Sequence, residues 1–225
     1  LDINGTLGKI ISPTMGIPDR EISALRPGIR RYTQDWLSER EKGEHAWSMN
    51  PYDKQAITRA KAVAARARAE KIETVVWIGI GGSGLGPRVL QEIFETPTTM
   101  EFLVIDTVDP ALLAMQLSLV DWKRALVVVV SKSGGTLETM SAFFHCYERL
   151  EDAMRGKAHT RVIAITDPHA GTLRSFALEN DVEILPIPSD VGGRFSIFTP
   201  VGLLTLALLD ADVDAFCRGA KEMDT

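Results

Sequence analysis

The chain has 225 residues, of which 45% are hydrophobic and 24% charged, with a formal net charge of −5. That balance leaves enough apolar surface to offset chain entropy, so intrinsic disorder is excluded. A mildly acidic chain lacks the excess of cations that a dominant nucleic-acid role needs, and no apolar run is long enough for a membrane span.

The elements are expected as follows. Residues 1–44 read as a helical, connective lead-in, with helix starts at Pro18-Asp19 and Pro27, because proline fits a first helical turn. Asn50-Pro51 starts another helix, and residues 55–71, rich in Ala, Arg and Lys, continue as one. The cations of that stretch read as a solvated face. From Thr74 the texture changes to five short β-rich runs at 75–80, 102–105, 125–130, 162–165 and 182–185. Most are continuously apolar, as in strands buried on both faces of a parallel sheet. Helical stretches fall between them at 85–96, 110–119, 137–155 and 172–180. An apolar helix opens at Val201-Gly202, and a last helix begins near Asp212. The expectation is an α/β doubly wound domain with five parallel strands and helices on both faces. Two divisions are expected: a lead-in over 1–44 and the α/β domain over 45–225.

The termini and cysteines add little chemistry. The chain opens on Leu1 and stops at Lys221-Glu-Met-Asp-Thr225, so both ends read as cut. No signal-peptide pattern is present at the start. Cys146 and Cys217 form no C-x-x-C pair and read as reduced, packed thiols of a cytoplasmic protein. His45, His145 and His159 lack metal-ligand spacing, so no metal is expected.

In an open parallel sheet, ligands bind beyond the carboxyl ends of the strands. The first such loop, Gly81-Gly-Ser-Gly84, is glycine-rich and leads into a helix. Its backbone N–H groups and the helix N-terminus suit a phosphate, with Gly82 and Ser83 as candidate contacts. The same loop satisfies G-x-G-x-x-G through Gly79, Gly81 and Gly84, with Asp106 ending the second strand. A dinucleotide-linked oxidoreductase is therefore a rival. The third loop, Ser131-Lys-Ser-Gly-Gly-Thr136, weighs against it. Its three hydroxyls, one ammonium and several N–H groups form an anion receptor suited to a phosphate monoester. In the flavodoxin-like strand order 2-1-3-4-5, strands 1 and 3 flank the switch point, and the two loops face one crevice. The bland reading of the third loop is a hydroxyl-capped helix start. In the fifth loop, Arg194 follows two glycines and can hold a developing oxyanion; the bland reading pairs it with Asp190. His169 lies in a loop at a strand end, where it contacts a ligand or, on the bland reading, is a turn residue after Pro168. Glu138 sits in the first turn of the helix after the serine loop, where it favours the helix dipole or orients a neighbour.

Three strings carry a family resemblance: Ile78-Gly-Ile-Gly-Gly-Ser-Gly-Leu-Gly-Pro87, Ser131-Lys-Ser-Gly-Gly-Thr-Leu-Glu-Thr139 and Ser189-Asp-Val-Gly-Gly-Arg-Phe-Ser-Ile-Phe-Thr-Pro-Val-Gly202. Together they resemble the glucose-6-phosphate isomerase (phosphoglucose isomerase) family over about residues 47–225. The resemblance implies a sugar-isomerase (SIS) domain, and interconversion of glucose 6-phosphate and fructose 6-phosphate without a cofactor. It implies that Ser131, Lys132, Ser133 and Thr136, with Gly82 and Ser83, hold the substrate phosphate. It implies that Gly193 and Arg194 stabilise an enediol intermediate. The family's glutamate base, ring-opening histidine and a lysine match no position here. They belong to a second SIS domain beyond residue 225, and the histidine to the partner subunit of a homodimer. Gly134-Gly135 departs from the commoner family form, where bulkier residues often stand. A non-catalytic sugar-phosphate-binding SIS module is the alternative from a different class.

Overall fold

A computed structural model describes residues 3–224; the chain ends Leu1, Asp2 and Thr225 lie outside the described residues. The chain divides into two compact units, Leu1–Ala46 and Trp47–Thr225. The first holds one long helix, α1 (Asp19–Glu41), and a bridge between Leu7 and Ile17. Pro27 lies inside α1 instead of starting a helix. Asp19 and Glu21 sit in the first turn of α1, where they complement the helix dipole, so Pro18-Asp19 marks its start as expected.

The second unit alternates helix and strand. In order it holds α2 (Lys54–Ala69), β1 (Thr74–Ile78), α3 (Gly82–Phe94), β2 (Glu101–Ile105), α4 (Pro110–Leu117), β3 (Ala125–Ser131) and α5 (Leu137–Met154). There follow β4 (Val162–Thr166), α6 (Thr172–Glu179), β5 (Glu183–Pro186), α7 (Pro200–Leu208) and α8 (Val213–Met223). The five strands form one sheet in the order β2-β1-β3-β4-β5, and every pairing is parallel. This is the expected doubly wound order.

The three central strands β1, β3 and β4 are buried along their whole length because both faces are covered, whereas the edge strands β2 and β5 begin on Glu101 and Glu183. Val75, Trp77, Leu126, Val128, Val130, Ile163 and Ile165 enter one core with residues of α2, α3, α7 and α8. Their neighbours Val76, Ile78, Val127, Val129, Val162 and Ala164 enter the other, with α4, α5 and α6. The period of two along each strand thus divides one apolar run between two cores. Every residue of α7 is buried, as an all-round apolar helix requires. Gly202 is needed there, because a Cβ would collide with the carbonyl of Ile197.

Several boundaries differ from expectation. Asn50-Pro51 lies in a short 3-10 turn, and α2 starts at Lys54, where the Asp53 carboxylate accepts from the Gln55 and Ala56 N–H groups. β1 stops at Ile78, and α3 begins at Gly82, three residues before the apolar pattern suggests. Among the described residues, no helix is long and apolar enough to cross a membrane.

Candidate functional site

The strand order puts the loops after β1 and β3 side by side at the carboxyl edge of the sheet. The turn after β1 reverses at Gly81, whose φ of 60° lies in the region that favours glycine. No side chain caps α3, so its first N–H groups are left for another acceptor. Trp77 Nε1 donates to the Ser83 carbonyl at 2.9 Å and anchors this first turn to the buried strand. Gly84 packs onto the Gly79 carbonyl, which draws the helix start against the strand end.

The loop after β3 forms a hydroxyl cluster. Ser131 Oγ lies 3.0 Å from Thr136 Oγ1, and Ser133 Oγ lies 3.3 Å from the same atom. Ser131 is buried, whereas Ser133 is exposed and Lys132 and Thr136 are half-buried. Thr136 stands at the N-cap of α5, yet its side chain makes no cap hydrogen bond. The hydroxyl-capped reading of this loop is therefore not what the structure adopts. The hydroxyls meet one another in front of the helix N-terminus, where an anion would find donors and a favourable dipole.

The neighbouring loops hold this cluster in place. The buried Thr166 hydroxyl donates to the Ser131 carbonyl at 2.7 Å. Leu173 N–H donates to the Gly134 carbonyl at 2.8 Å, and Asp167 N–H to the Lys132 carbonyl at 3.2 Å. Gly134 has φ of 68°, and a Cβ there would lie 2.8 Å from Gly171 Cα. The two glycines let the loops after β3 and β4 touch backbone to backbone. Asp167 accepts from the N–H groups of His169 and Ala170 and, at 2.8 Å, from the Ser189 hydroxyl. The His169 N–H foremost, then the Ser189 hydroxyl, hold the Asp167 carboxyl below the usual carboxylate range. An open cavity of about 330 Å³ lies here, lined by Lys132, Ser133, Asp167 and Ala170.

The fifth loop reaches the first. A Cβ on Gly82 would collide with the carbonyl carbon and oxygen of Gly193, with Gly193 Cα at 3.0 Å. The Gly193 carbonyl accepts from Ser196 Oγ at 2.7 Å, which fixes the turn that carries Arg194. Phe195 stacks on Trp47 with ring centroids 5.2 Å apart. Arg194 is exposed, and no ion pair joins it to Asp190 among the described residues.

So the structure brings Gly82 to Gly193 and joins Ser131, Ser133 and Thr136. Among the described residues, no hydrogen bond ties Ser83 Oγ, Lys132 Nζ, Glu138 or the Arg194 guanidinium into that framework. His169 donates its backbone N–H to Asp167. Asp106, the acidic residue of the dinucleotide rival, is engaged with Arg88 at 2.9 Å. Thr166, Gly171 and the Asp167–Ser189 link escaped the sequence reading. Only Asp167-Pro-His169 carried a local signal, the turn an Asp builds on following N–H groups.

Two other features do not suit a phosphate. A cavity of about 600 Å³ lies at the amino ends of β1 and β2, lined partly by Glu73, Glu101 and Asp121, whose charge has the wrong sign. In the first unit, Glu39, Glu44 and His45 bring ligand atoms within 4.8 Å of one another. There His45 already pairs with Glu39 at 2.8 Å and stacks on Trp36.

The family model described as Phosphoglucose isomerase matches residues 50–225. A glucose-6-phosphate isomerase of Thermus thermophilus is 39% identical over 151 residues, which cover 67% of this chain and 36% of that protein. One from Rubrobacter xylanophilus is 32% identical over 216 residues, covering 91% of this chain and 49% of that protein. Among solved structures, a Thermus thermophilus protein described as hypothetical superposes with a TM-score of 0.84 at 32% identity. It is matched over 90% of this chain and 49% of its own. A Chlamydia trachomatis glucose-6-phosphate isomerase gives a TM-score of 0.60 at 31% identity, covering 75% of this chain and 32% of its own. The chain thus spans half or less of the length of these relatives.

Proposed function

Because the chain belongs to the phosphoglucose isomerase family, we propose that it is the phosphate-holding and oxyanion-holding part of an enzyme that interconverts glucose 6-phosphate and fructose 6-phosphate. The observation that carries this reading is the pair of backbone approaches at the carboxyl edge of the sheet, Gly82 on Gly193 and Gly134 on Gly171. The Ser131–Ser133–Thr136 hydroxyl cluster stands before one helix N-terminus. The uncapped start of α3 at Gly82 touches Gly193.

In this proposal the substrate phosphate accepts from the hydroxyls of Ser131, Ser133 and Thr136, from Lys132, and from the turn at Gly82 and Ser83. Each hydrogen bond to the charged group contributes roughly 1.5–3 kcal/mol. The far end of the sugar then lies toward Gly193 and Arg194. Isomerisation moves a proton between C1 and C2 and places negative charge on an enediolate oxygen. The positive charge of the Arg194 guanidinium opposes it. Of the carboxylates at this edge, Asp106 pairs with Arg88, and Asp167 accepts from Ser189 and two N–H groups. From the family resemblance, the proton-moving base is assigned to a second SIS domain, and the full enzyme to a cytoplasmic homodimer. Residues 1–44 are the lead-in and 45–225 the SIS domain of that enzyme. The 225-residue chain alone then binds sugar phosphates weakly and turns over little or nothing.

Isothermal titration of the chain with fructose 6-phosphate and with fructose tests the reading. Binding of the phosphate ester alone is expected. Equal binding of both sugars, or binding of NAD in their place, would overturn it. A coupled assay showing near-normal isomerisation by the chain alone would refute the assignment of the base elsewhere.

A further inference from the structure

A groove of about 440 Å³ lies between α4 and α5, and none of its lining residues belongs to the loops described above. The volume falls in the range of small-molecule sites. One wall is apolar: Val108 from the turn after β2, with Leu113 and Ala114 of α4. The other carries Ser141, His145 and Arg149 of α5. Their spacing of four residues puts all three on one helix face.

Arg149 is the unusual member. It is half-buried, and its Nε is buried with no hydrogen-bond partner. The contact its guanidinium does make is from a terminal nitrogen to His145 Nε2 at 3.3 Å. For that bond the imidazole must offer a lone pair, so the ring brings no negative charge. Arg88 is also half-buried, and there Asp106 supplies the counter-charge at 2.9 Å. Among the described residues, no carboxylate pairs with Arg149. A buried donor without an acceptor is unfavourable, and an anion in the groove would relieve it.

We propose that the α4–α5 groove is a binding site for a small organic anion: an apolar body bearing one carboxylate or sulfonate head. The head meets the Arg149 guanidinium beside the Ser141 hydroxyl. The body lies on Val108, Leu113 and Ala114 and takes their apolar surface out of water. A sugar phosphate suits this groove poorly, since its hydroxyls would be set against that apolar wall. The site is independent of the phosphate-holding loops.

The probe is anilinonaphthalene sulfonate, which carries an aromatic body and one sulfonate and emits when shielded from water. Titration of the chain should give saturable emission with one dye per chain. Arg149→Gln should weaken binding roughly tenfold or more by removing the charge-assisted contact. Ala114→Trp should abolish it by filling the groove from an exposed position on α4. Ser141→Trp blocks the same groove from α5, should the first tryptophan disturb folding by circular dichroism. Saturating fructose 6-phosphate should leave the emission unchanged. Emission equal in all variants, or displaced by fructose 6-phosphate, would overturn the proposal. It would also be overturned if the substitutions changed self-association in sedimentation, for then the groove seats protein and not a small anion.

Discussion

Gly134→Ala and Gly135→Ala are adjacent changes with opposite expected signs. At Gly134 the φ of 68° is a left-handed conformation, which costs a residue bearing a Cβ about 1–2 kcal/mol. The added carbon would also lie 2.8 Å from Gly171 Cα, where ordinary contact begins near 3.4 Å, so the backbones must part by about half an ångström. Overpacking of that kind adds roughly 1–3 kcal/mol. Together these give a loss of about 2–5 kcal/mol, or a fall in Tm of about 4–20 °C for a chain this size. At Gly135 the φ is ordinary, and nothing lies within 4 Å of the added Cβ. Alanine there restricts the unfolded chain and should stabilise by about 0.4–1 kcal/mol. Differential scanning calorimetry of both variants reads the contrast. Gly134→Ala should also weaken fructose 6-phosphate binding, because Leu173 N–H and Gly171 hold the serine loop through residue 134. Equal Tm shifts in the two variants would refute the inferred backbone contact between the loops after β3 and β4.

Other expectations follow from the same geometry. Thr136→Val and Ser131→Ala should each weaken fructose 6-phosphate binding roughly tenfold, read by titration calorimetry; unchanged affinity in both contradicts the phosphate assignment. The Asp167 carboxyl is held low in the folded chain, so its contribution to stability is complete above the ordinary carboxylate range. That contribution is lost as pH falls through the lowered value. Ser189→Ala should move the Asp167 titration upward in a carbon-detected NMR series, and an unmoved midpoint would contradict the Asp167–Ser189 link. Burial pushes the Cys146 thiol up to about 12, against a smaller opposing pull from Arg149. Iodoacetamide at pH 8 should therefore leave Cys146 unmodified in the folded chain, as read by mass spectrometry; rapid labelling contradicts its burial.

The sheet was legible because most of its strands are apolar runs between turn residues. The sequence could not say which core each residue enters, but period two settles it once both faces are covered, as Val75 and Val76 illustrate. The glycines at the end of β1 hid the helix start. Gly82 has little helix propensity, yet α3 begins there because Gly84 packs on Gly79 and Gly81 makes the turn. Pro27 misled in the other direction, since a proline that fits a first turn can also stand within a helix when the surrounding residues hold it. At the candidate site, the Ser131–Thr136 loop was legible as a local motif. The Gly82–Gly193 approach, the Gly134–Gly171 approach and the Thr166 hydroxyl were not, because each joins residues brought together only by strand order.

An amide NMR titration of the 225-residue chain with fructose 6-phosphate shows directly whether the loops after β1 and β3 hold the phosphate. Saturable shifts are expected at Ser131 to Thr136 and at Gly82 and Ser83, with smaller ones at Gly193 and Arg194, and none with fructose alone. Shifts confined to other parts of the chain, or none at saturating ligand, would contradict the phosphate assignment.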